Sequence, residues 1–225
     1  VLDRTVVPAR FLHPQRRGEE VHDRAFFNAL MAQGLIDRVV EAPRDLVFEG
    51  AGDAIWDATR RLLWTGWGQR SSRAMAAFLA ETFGVPTVDL ELVDPRFYHL
   101  DTCFCVLSHG EVLVHKAALR PHSFALVEEL VGRDRLIVAA DDDAQHLAVN
   151  SVCLGDDVVL CHASPTLRSA LEARGYRVHV VSLDSFNRSG GAAYCLTLRL
   201  DNLSRPAAVP APFMEDDLHT VLSSK

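Results

Sequence analysis

The chain has 225 residues, of which 48% are hydrophobic and 24% are charged, and its formal net charge is −7. That length can bury a sizeable core in one large domain or two small ones, and the composition is typical of a globular protein. Since no Lys/Arg cluster extends beyond Arg16-Arg17, the acidic balance predicts neither a nucleic-acid nor a membrane partner.

Helix-type patterns recur along the chain. Apolar residues at i, i+3 or i+4 spacing predict helices over residues 21–33, 72–83, 123–131 and 164–174. A glycine follows near the last turn of each, as left-handed C-terminal caps favour: Gly34, Gly84, Gly132 and Gly175. The expected N-caps are Ser72, Ser123 and Ser164.

Short β-type runs follow these helices, at residues 37–40, 87–93, 135–139 and 177–181. Strand pairs with a turn between them precede two of the helices, in CFCVLSHGEVLVHKA (103–117) and NSVCLGDDVVLC (150–161). The order strand, strand, helix, strand therefore recurs about three times in full, with partial copies at both ends. This pattern predicts an α/β fold built as a closed ring of ββαβ units rather than as a solenoid.

The two ends depart from this order. Residues 1–7 are predicted to be the second strand of a pair whose first strand is missing, so the first unit is truncated. In GGAAYCLTLRL (190–200), the glycines predict a turn that opens into a half-buried strand over 194–200. Residues 1–203 are thus expected to form a single domain, and residues 204–225 a C-terminal surface extension.

The number and spacing of the cysteines indicate whether the protein resides in an oxidising or a reducing compartment. The cysteines are odd in number and contain no C-x-x-C pair: Cys103, Cys105, Cys153, Cys161 and Cys195. This set argues against a disulfide framework or a structural zinc knuckle. No apolar run is long enough to span a bilayer, and residues 1–20 lack the layout of a signal peptide. We therefore expect a soluble protein of the reducing cytoplasm.

Side chains capable of chemistry lie at the starts of successive units. Because a ring would point its leading strands toward a common centre, these groups are expected to converge. They are Glu49 in FEGAGD, Arg70 in GQRSSR, His99 with Asp101 in FYHLDTCFC, and Cys195 in GGAAYC.

Cys195 has two interpretations on the sequence alone. Free cysteine is among the most buried residue types, so the residue can simply pack in a strand. It can also be a nucleophile, in which case a cationic neighbour or a positively charged substrate has to favour the thiolate. The other four cysteines are expected to be packing residues.

His99 and Asp101 are two residues apart, which on a strand places both side chains on one face. An imidazole beside a carboxylate is a sound general acid/base. A pair of metal ligands and a hydrogen-bonded core histidine are the alternatives that stay open.

Glu49 and Arg70 complete the candidates. Glu49 can orient the imidazole of His99, whereas Asp53 at the end of the same turn is interpreted as a turn residue that bonds local amides. The guanidinium of Arg70 suits bidentate capture of a carboxylate, and a solvated surface arginine is its alternative.

FEGAGD, FYHLDTCFC and SGGAAYCLTLRL, in this order and spacing, resemble the guanidino-modifying superfamily with the pentein fold, which includes dimethylarginine dimethylaminohydrolases, arginine deiminases and amidinotransferases. The resemblance covers roughly residues 1–201 and implies a pentein-type α/β propeller with pseudo-fivefold symmetry. It also implies that Cys195 is the nucleophile, His99 the general acid/base and Glu49 its acidic partner. By the same resemblance, Asp101 grips the guanidinium and Arg70 holds the α-carboxylate of the substrate.

The resemblance implies a hydrolase that acts on a small arginine-like guanidine through a covalent Cys195 adduct, without a metal or other cofactor. If a second amine replaces water, the same site is an amidinotransferase. A non-catalytic pentein that only binds its partner is a further alternative. The identity of the guanidine and assembly into a homo-oligomer are left open by the sequence.

Overall fold

A computed structural model describes residues 1–205 of the chain. Three of its small sheets share one layout, in which two antiparallel strands are followed by a helix and a strand parallel to the second. The units are β3 (Ala54–Asp57), β4 (Leu62–Trp67), α2 (Met75–Phe83), β5 (Thr87–Glu91); β6 (Phe104–Val106), β7 (Val112–Val114), α3 (Pro121–Val131), β8 (Leu136–Val138); and β9 (Val152–Leu154), β10 (Asp157–Leu160), α5 (Pro165–Glu172), β11 (Arg177–Val180).

The first sheet is shorter. It pairs β1 (Thr5–Val6) with the parallel strand β2 (Arg38–Val39), and α1 (Glu19–Ala32) connects them. Two short helices, α4 (Asp141–Gln145) and α6 (Asp184–Asn187), lie outside the repeated layout. The alternating order predicted from the sequence is thus confirmed as a mixed α/β fold, with one strand fewer in the first sheet than in the others.

Local sequence explains where the elements turn. Gly84 ends α2 in the left-handed conformation (φ +64°), which an L-residue adopts at a cost. Gly155 turns the β9–β10 hairpin at φ +59°. Of the three expected N-caps, Ser164 is confirmed, since its hydroxyl accepts the amide of Leu167 at 3.2 Å.

Ser72 and Ser123 are not N-caps, and those predictions were wrong. The Ser72 hydroxyl accepts the Val47 amide at 3.1 Å, and α2 begins only at Met75. Ser123 lies inside α3, where its hydroxyl accepts the Glu91 amide of the neighbouring strand at 3.0 Å. Both serines tie a helix to another segment rather than satisfying the helix's own amides.

The core lies between the sheets and the helices that cover them. In its largest cluster, Trp64 of β4 is fully buried against Phe104 of β6, with ring centroids 5.2 Å apart. This contact joins two successive units, so the ends of their strands are held close together.

The strand predicted over residues 194–200 is absent from the structure, and that prediction was wrong. Residues Tyr194–Leu196 form one 3-10 turn, and residues 197–200 are irregular. Of the alternating leucines, Leu196 and Leu198 are 51% and 40% exposed, and only Leu200 packs against a core cluster. The hydrophobic alternation therefore lacks the buried face that stabilises a strand.

Two further observations concern the chain as a whole. Within residues 1–205, no helix combines the length and the apolar character needed to cross a bilayer. The predicted C-terminal extension lies outside the described residues from position 206 onward, so the division at residue 203 stays a prediction.

Candidate active site

The structure brings all five candidate residues to one cavity of about 540 Å³. They reach it from four separate segments. Glu49 and the turn with His99 and Asp101 precede the first strands of two units, as predicted. Arg70 instead lies between β4 and α2, and Cys195 lies in a turn after β11, so the predicted position at the start of a unit was wrong for these two residues.

Besides the candidates, aromatic and basic side chains line the wall, among them Phe11, Arg16 and Tyr98. Residues far apart in sequence, such as Glu49 and Cys195 at a separation of 146 positions, therefore share one concave surface.

Glu49 and His99 form a buried pair. Glu49 precedes a 3-10 turn (Gly50–Asp53), and its Oε2 lies 2.9 Å from His99 Nε2. Burial opposes the charge on Glu49, but hydrogen bonds from His99 and the Leu12 amide, with the charges of His99 and Arg70, lower the pKa of Glu49 to about 2. Burial likewise disfavours the imidazolium of His99, yet the bond to Glu49 and nearby carboxylates raise the pKa of His99 above its usual value. The pair thus favours a protonated imidazole beside a carboxylate.

Gly52 makes this pairing possible. A side-chain carbon on Gly52 would lie 2.7 Å from His99 Nδ1, a distance that real contacts do not reach. The imidazole therefore packs directly against bare backbone. The two glycines of FEGAGD were considered only as turn residues, and this close approach is a role that spacing alone did not reveal.

Asp101 is the most deeply placed acid of the cavity. It lies in a 3-10 turn (Leu100–Thr102), not on a strand as expected, although it still faces the same cavity as His99. Burial raises the pKa of Asp101 to about 6, against the charge of His99 and a hydrogen bond from Cys195. Its Oδ1 is inaccessible to solvent and has no hydrogen-bond partner among the described residues. A buried carboxylate oxygen without a donor can satisfy a cationic N–H of a ligand.

The thiol of Cys195 faces this carboxylate. Its Sγ lies 3.3 Å from Asp101 Oδ2, although the residue as a whole reaches the surface. Burial among these groups and the charge of Asp101 raise the pKa of Cys195 to about 12. In the unliganded cavity the sulfur is therefore a thiol, and an added positive charge is needed to make it a thiolate.

Asn150, which the sequence analysis did not single out, holds the loop that carries Cys195. This fully buried side chain accepts the amides of Ala192 and Cys195 at 3.0 and 3.2 Å. Its amide nitrogen donates to the Asp101 carbonyl at 3.1 Å and lies 3.2 Å from Cys195 Sγ. Asn150 is a positioning residue that links the Cys195 thiol to Asp101, two residues that are 94 positions apart in sequence.

Replacing Asn150 by alanine is expected to lower kcat about tenfold or more and to destabilise the fold by about 1–3 kcal/mol, because buried amides lose their acceptor. Asn150→Asp is the matched control, since it keeps the acceptor for the two amides and removes the donor toward sulfur. Thermal unfolding and steady-state kinetics measure the two effects. Equal kcat in Asn150→Ala and the unmodified chain would show that the loop is positioned by other contacts.

Arginines supply the positive charge of the cavity. Arg70 donates to Glu49 Oε2 at 3.1 Å, and its guanidinium lies over the ring of Tyr98 at 4.9 Å. Arg16 approaches the same carboxylate at 3.6 Å and is held by Glu19 at 2.8 Å. The sequence analysis considered Arg16 only as part of a short basic pair, and that pair was the one signal that could have drawn attention to it.

Asp53 is not a local turn residue, so that interpretation was wrong. It is 1% exposed, and its Oδ1 accepts the Leu100 amide at 3.0 Å while its Oδ2 accepts the Ser71 hydroxyl at 2.6 Å. Burial raises the pKa of Asp53. These long-range bonds fasten the turn after Glu49 to the turn that carries His99 and Asp101.

The remaining cysteines lie away from the cavity lining. Cys103 and Cys105 are buried in two neighbouring core clusters, as the packing interpretation predicts. Burial raises the pKa of Cys105 to about 12 and holds that of Cys103 well above its usual value. All five cysteines are free thiols in the structure.

The fold and the cavity define a class: a mixed α/β protein of repeated small units, with a cavity that holds a thiol, an imidazole–carboxylate pair and a second buried acid. Comparison with known proteins confirms the resemblance to the pentein guanidino-modifying superfamily. The family described as N,N dimethylarginine dimethylhydrolase, eukaryotic, matches residues 2–201, and the chain belongs to this family.

Two bacterial relatives illustrate the similarity. AgrE of Nostoc sp. strain PCC 7120, a bifunctional arginine dihydrolase/ornithine cyclodeaminase, is 41% identical over 200 residues, which are 89% of this chain and 28% of AgrE. An N(G),N(G)-dimethylarginine dimethylaminohydrolase of Mycobacterium tuberculosis is 36% identical over 195 residues, 86% of this chain and 61% of that enzyme. The chain thus spans under a third of AgrE.

Among solved structures, the N-terminal domain of ArgZ is similar with a TM-score of 0.86 and 39% identity, covering 92% of this chain and 74% of that one. ArgZ of Synechocystis sp. is also a bifunctional arginine dihydrolase/ornithine cyclodeaminase. In that crystal structure the domain is covalently bound to a reaction intermediate.

Proposed function

We propose that the protein hydrolyses the guanidino group of arginine or of a substituted arginine through a covalent thiouronium on Cys195. The observation that carries this proposal is the buried carboxylate of Asp101, which has one oxygen against the thiol and the other without a donor. A guanidinium is planar, cationic and rich in N–H donors, so it complements that oxygen.

Binding of such a cation changes the charge balance of the cavity. A guanidinium beside Asp101 lowers the pKa of that carboxyl and lowers the pKa of the Cys195 thiol from about 12. The substrate then supplies the positive neighbour that the thiolate lacks in the empty cavity. The same contact orients the flat guanidinium toward sulfur.

In the first half-reaction, the Cys195 thiol releases its proton to bulk water as the cation binds. The thiolate sulfur then attacks the central carbon of the guanidinium, forming a C–S bond and a neutral tetrahedral adduct. Protonated His99 gives its proton to one nitrogen, and the C–N bond breaks with departure of ammonia or an alkylamine. The product on the protein is an S-alkyl thiouronium. Glu49 favours the protonated form of His99, which this step requires.

In the second half-reaction, neutral His99 takes a proton from water, and the resulting hydroxide attacks the thiouronium carbon. The new tetrahedral adduct breaks its C–S bond, so that a ureido product leaves and the sulfur is free again. If an amine instead of water attacks, the outcome is transfer of the amidino group. Transfer is the second candidate for this site, because the same residues serve both outcomes.

The charges of the wall support an amino acid as the substrate. Asp101 lies among buried groups, whereas Arg70 and Arg16 are 21% and 39% exposed in their side chains. A substrate with a guanidinium at one end and an α-carboxylate at the other can place its guanidinium against the buried Asp101 and its carboxylate against the more exposed arginines. Arg70 is the proposed partner of the α-carboxylate, with Arg16 beside it.

The relatives support hydrolysis of one of two substrates, arginine or dimethylarginine. AgrE and ArgZ are arginine dihydrolases in part, and the M. tuberculosis relative acts on dimethylarginine. The covalent intermediate in the ArgZ domain supports a covalent route. We infer a hydrolase of the dimethylargininase/deiminase kind, whose units are arranged as a pentein propeller around the cavity. The cytoplasmic location and any homo-oligomer stay predictions.

The test is a small panel of guanidines: arginine, Nω,Nω-dimethylarginine and agmatine. We expect ureido product and released ammonia or dimethylamine in equal amounts from an amino-acid guanidine, and at least about tenfold lower kcat/KM for agmatine, which lacks the α-carboxylate. Mass spectrometry of quenched reactions detects the adduct on Cys195. Product that requires an added amine would establish transfer, and binding without product or adduct would establish the non-catalytic alternative.

A further inference from the structure

A second cluster of ligating side chains lies away from the active-site cavity, and the proposed chemistry does not use it. We propose that Asp142, His146 and His162 bind one divalent transition-metal ion. Asp142 lies in α4, His146 is the C-cap residue of that helix, and His162 follows β10. The site joins two elements that precede and follow the β9–β10 hairpin.

The distances suit a single ion. One ligand atom from each of the three residues lies within 4.8 Å of the other two. Ligands about 2.0–2.2 Å from a zinc-type ion are separated by roughly 3–4 Å, so small side-chain rotations bring these atoms into position. Asp142 lies between the two histidines, with its carboxylate oxygens 3.6 Å from His146 Nδ1 and 3.6 Å from His162 Nε2. His146 Nδ1 is also 2.8 Å from the Asp142 backbone carbonyl, so coordination through this nitrogen replaces that hydrogen bond.

His162 gives an independent indication. Its Nε2 is inaccessible to solvent and has no hydrogen-bond partner among residues 1–205. Asp142 Oδ2 and Asp143 Oδ1 approach this nitrogen at 3.6 and 3.5 Å, both too long for a good hydrogen bond. A bound cation would supply the missing partner to the nitrogen and neutralise the adjacent carboxylates.

Surrounding contacts hold the ligands in place. Asp143 is 2% exposed and is fully engaged by Ser164, accepting its amide and its hydroxyl at 2.7 Å each. This bond ties the segment of His162 to α4. The imidazoles of His146 and His162 stack with centroids 4.5 Å apart, which places both rings beside Asp142. Outer contacts of this kind reduce the reorganisation that metal binding requires.

The donor set selects the class of metal. Two imidazoles and one carboxylate suit Zn²⁺, Co²⁺, Ni²⁺ or Cu²⁺, whereas Mg²⁺ and Ca²⁺ prefer sites built from oxygen atoms. The side chains of Asp142 and His146 are 72% and 56% exposed, so solvent can deliver the ion and complete its coordination with water. Such a bridge would stabilise the packing of α4 against the loop after β10.

The test uses the Cys195→Ser variant, in which the active-site thiol cannot bind metal. Titration with Co²⁺ is expected to give visible d–d absorbance that saturates at one ion per chain, and Zn²⁺ is expected to raise the unfolding temperature. Mg²⁺ is expected to do neither. Adding His162→Ala should weaken Co²⁺ binding at least about tenfold.

The matched control is His109→Ala in the same background, because His109 is an exposed histidine 2.9 Å from Asp156 and the pair gains no third candidate ligand within residues 1–205. It is expected to keep full Co²⁺ binding. The metal-free unfolding temperatures of both variants report whether each still folds, and His162→Gln replaces His162→Ala if the latter does not. Equal affinity in the His162 and His109 variants, or absence of saturable Co²⁺ binding, would overturn the proposal.

Discussion

Replacing Cys195 by serine is expected to lower kcat at least about 10⁴-fold with the best guanidine of the panel. A hydroxyl is far harder to ionise than a thiol, and a bound guanidinium cannot compensate for that difference. Serine keeps nearly the same volume and can still donate to Asp101 Oδ2, so the unfolding temperature should change little. Steady-state release of ureido product measures the effect.

Ultraviolet absorbance of the thiolate provides the control for this argument. In the free protein, the Cys195 pKa of about 12 predicts no thiolate at neutral pH. A guanidinium ligand that does not react should produce thiolate absorbance in the unmodified chain and none in Cys195→Ser. If the variant retains a tenth of the activity, or the ligand leaves the absorbance unchanged, Cys195 is not the nucleophile.

Replacing His99 by alanine is expected to lower turnover of a guanidine about 10²–10⁴-fold, because the departing nitrogen then has no proton donor. An isothiourea analogue of the substrate separates the two half-reactions, since its thiolate leaving group departs without a proton. Adduct formation from the isothiourea should therefore survive in His99→Ala, while hydrolysis of the adduct stays slow. Rapid-quench mass spectrometry follows the adduct.

Glu49→Gln is the matched variant for the histidine. The carboxylate of Glu49 accepts a hydrogen bond from His99 and raises the pKa of His99. Because glutamine removes that negative charge, the pKa of His99 falls and its protonated fraction at a given pH decreases. The limb of the rate profile that depends on protonated His99 should move to lower pH. An unshifted profile together with normal single-turnover kinetics in His99→Ala would remove the pair from the mechanism.

Local patterns in the sequence were sufficient to predict the repeated order of strands and helices. Apolar spacing and terminal glycines such as Gly84 depend on neighbours within one turn, so helices α2, α3 and α5 were located to within a few residues. The same reasoning failed for the segment after Tyr194, because alternating apolar and polar residues form a strand only when one face packs against a core. Whether a core is present there is decided by the packing of the whole chain.

The candidate residues themselves were chosen from motifs, but their contacts were not predictable. Asn150 and Arg16 carry no motif, and their importance arises from segments distant in sequence that place them beside Cys195 and Glu49. The interpretation of Asp53 failed for the same reason, since its partners Ser71 and Leu100 lie 18 and 47 residues away.

Sequence patterns and motifs were enough to assign the class of the protein, an α/β chain of repeated units with a reactive thiol, an imidazole and acids as its candidate site. Only the tertiary structure decided that these groups share one cavity, that Asp101 keeps an unpartnered oxygen there, and that the Cys195 thiol is protonated before a cation arrives. The physical reason is that secondary structure depends on neighbouring residues, whereas burial and charge at a site depend on groups that folding alone brings together.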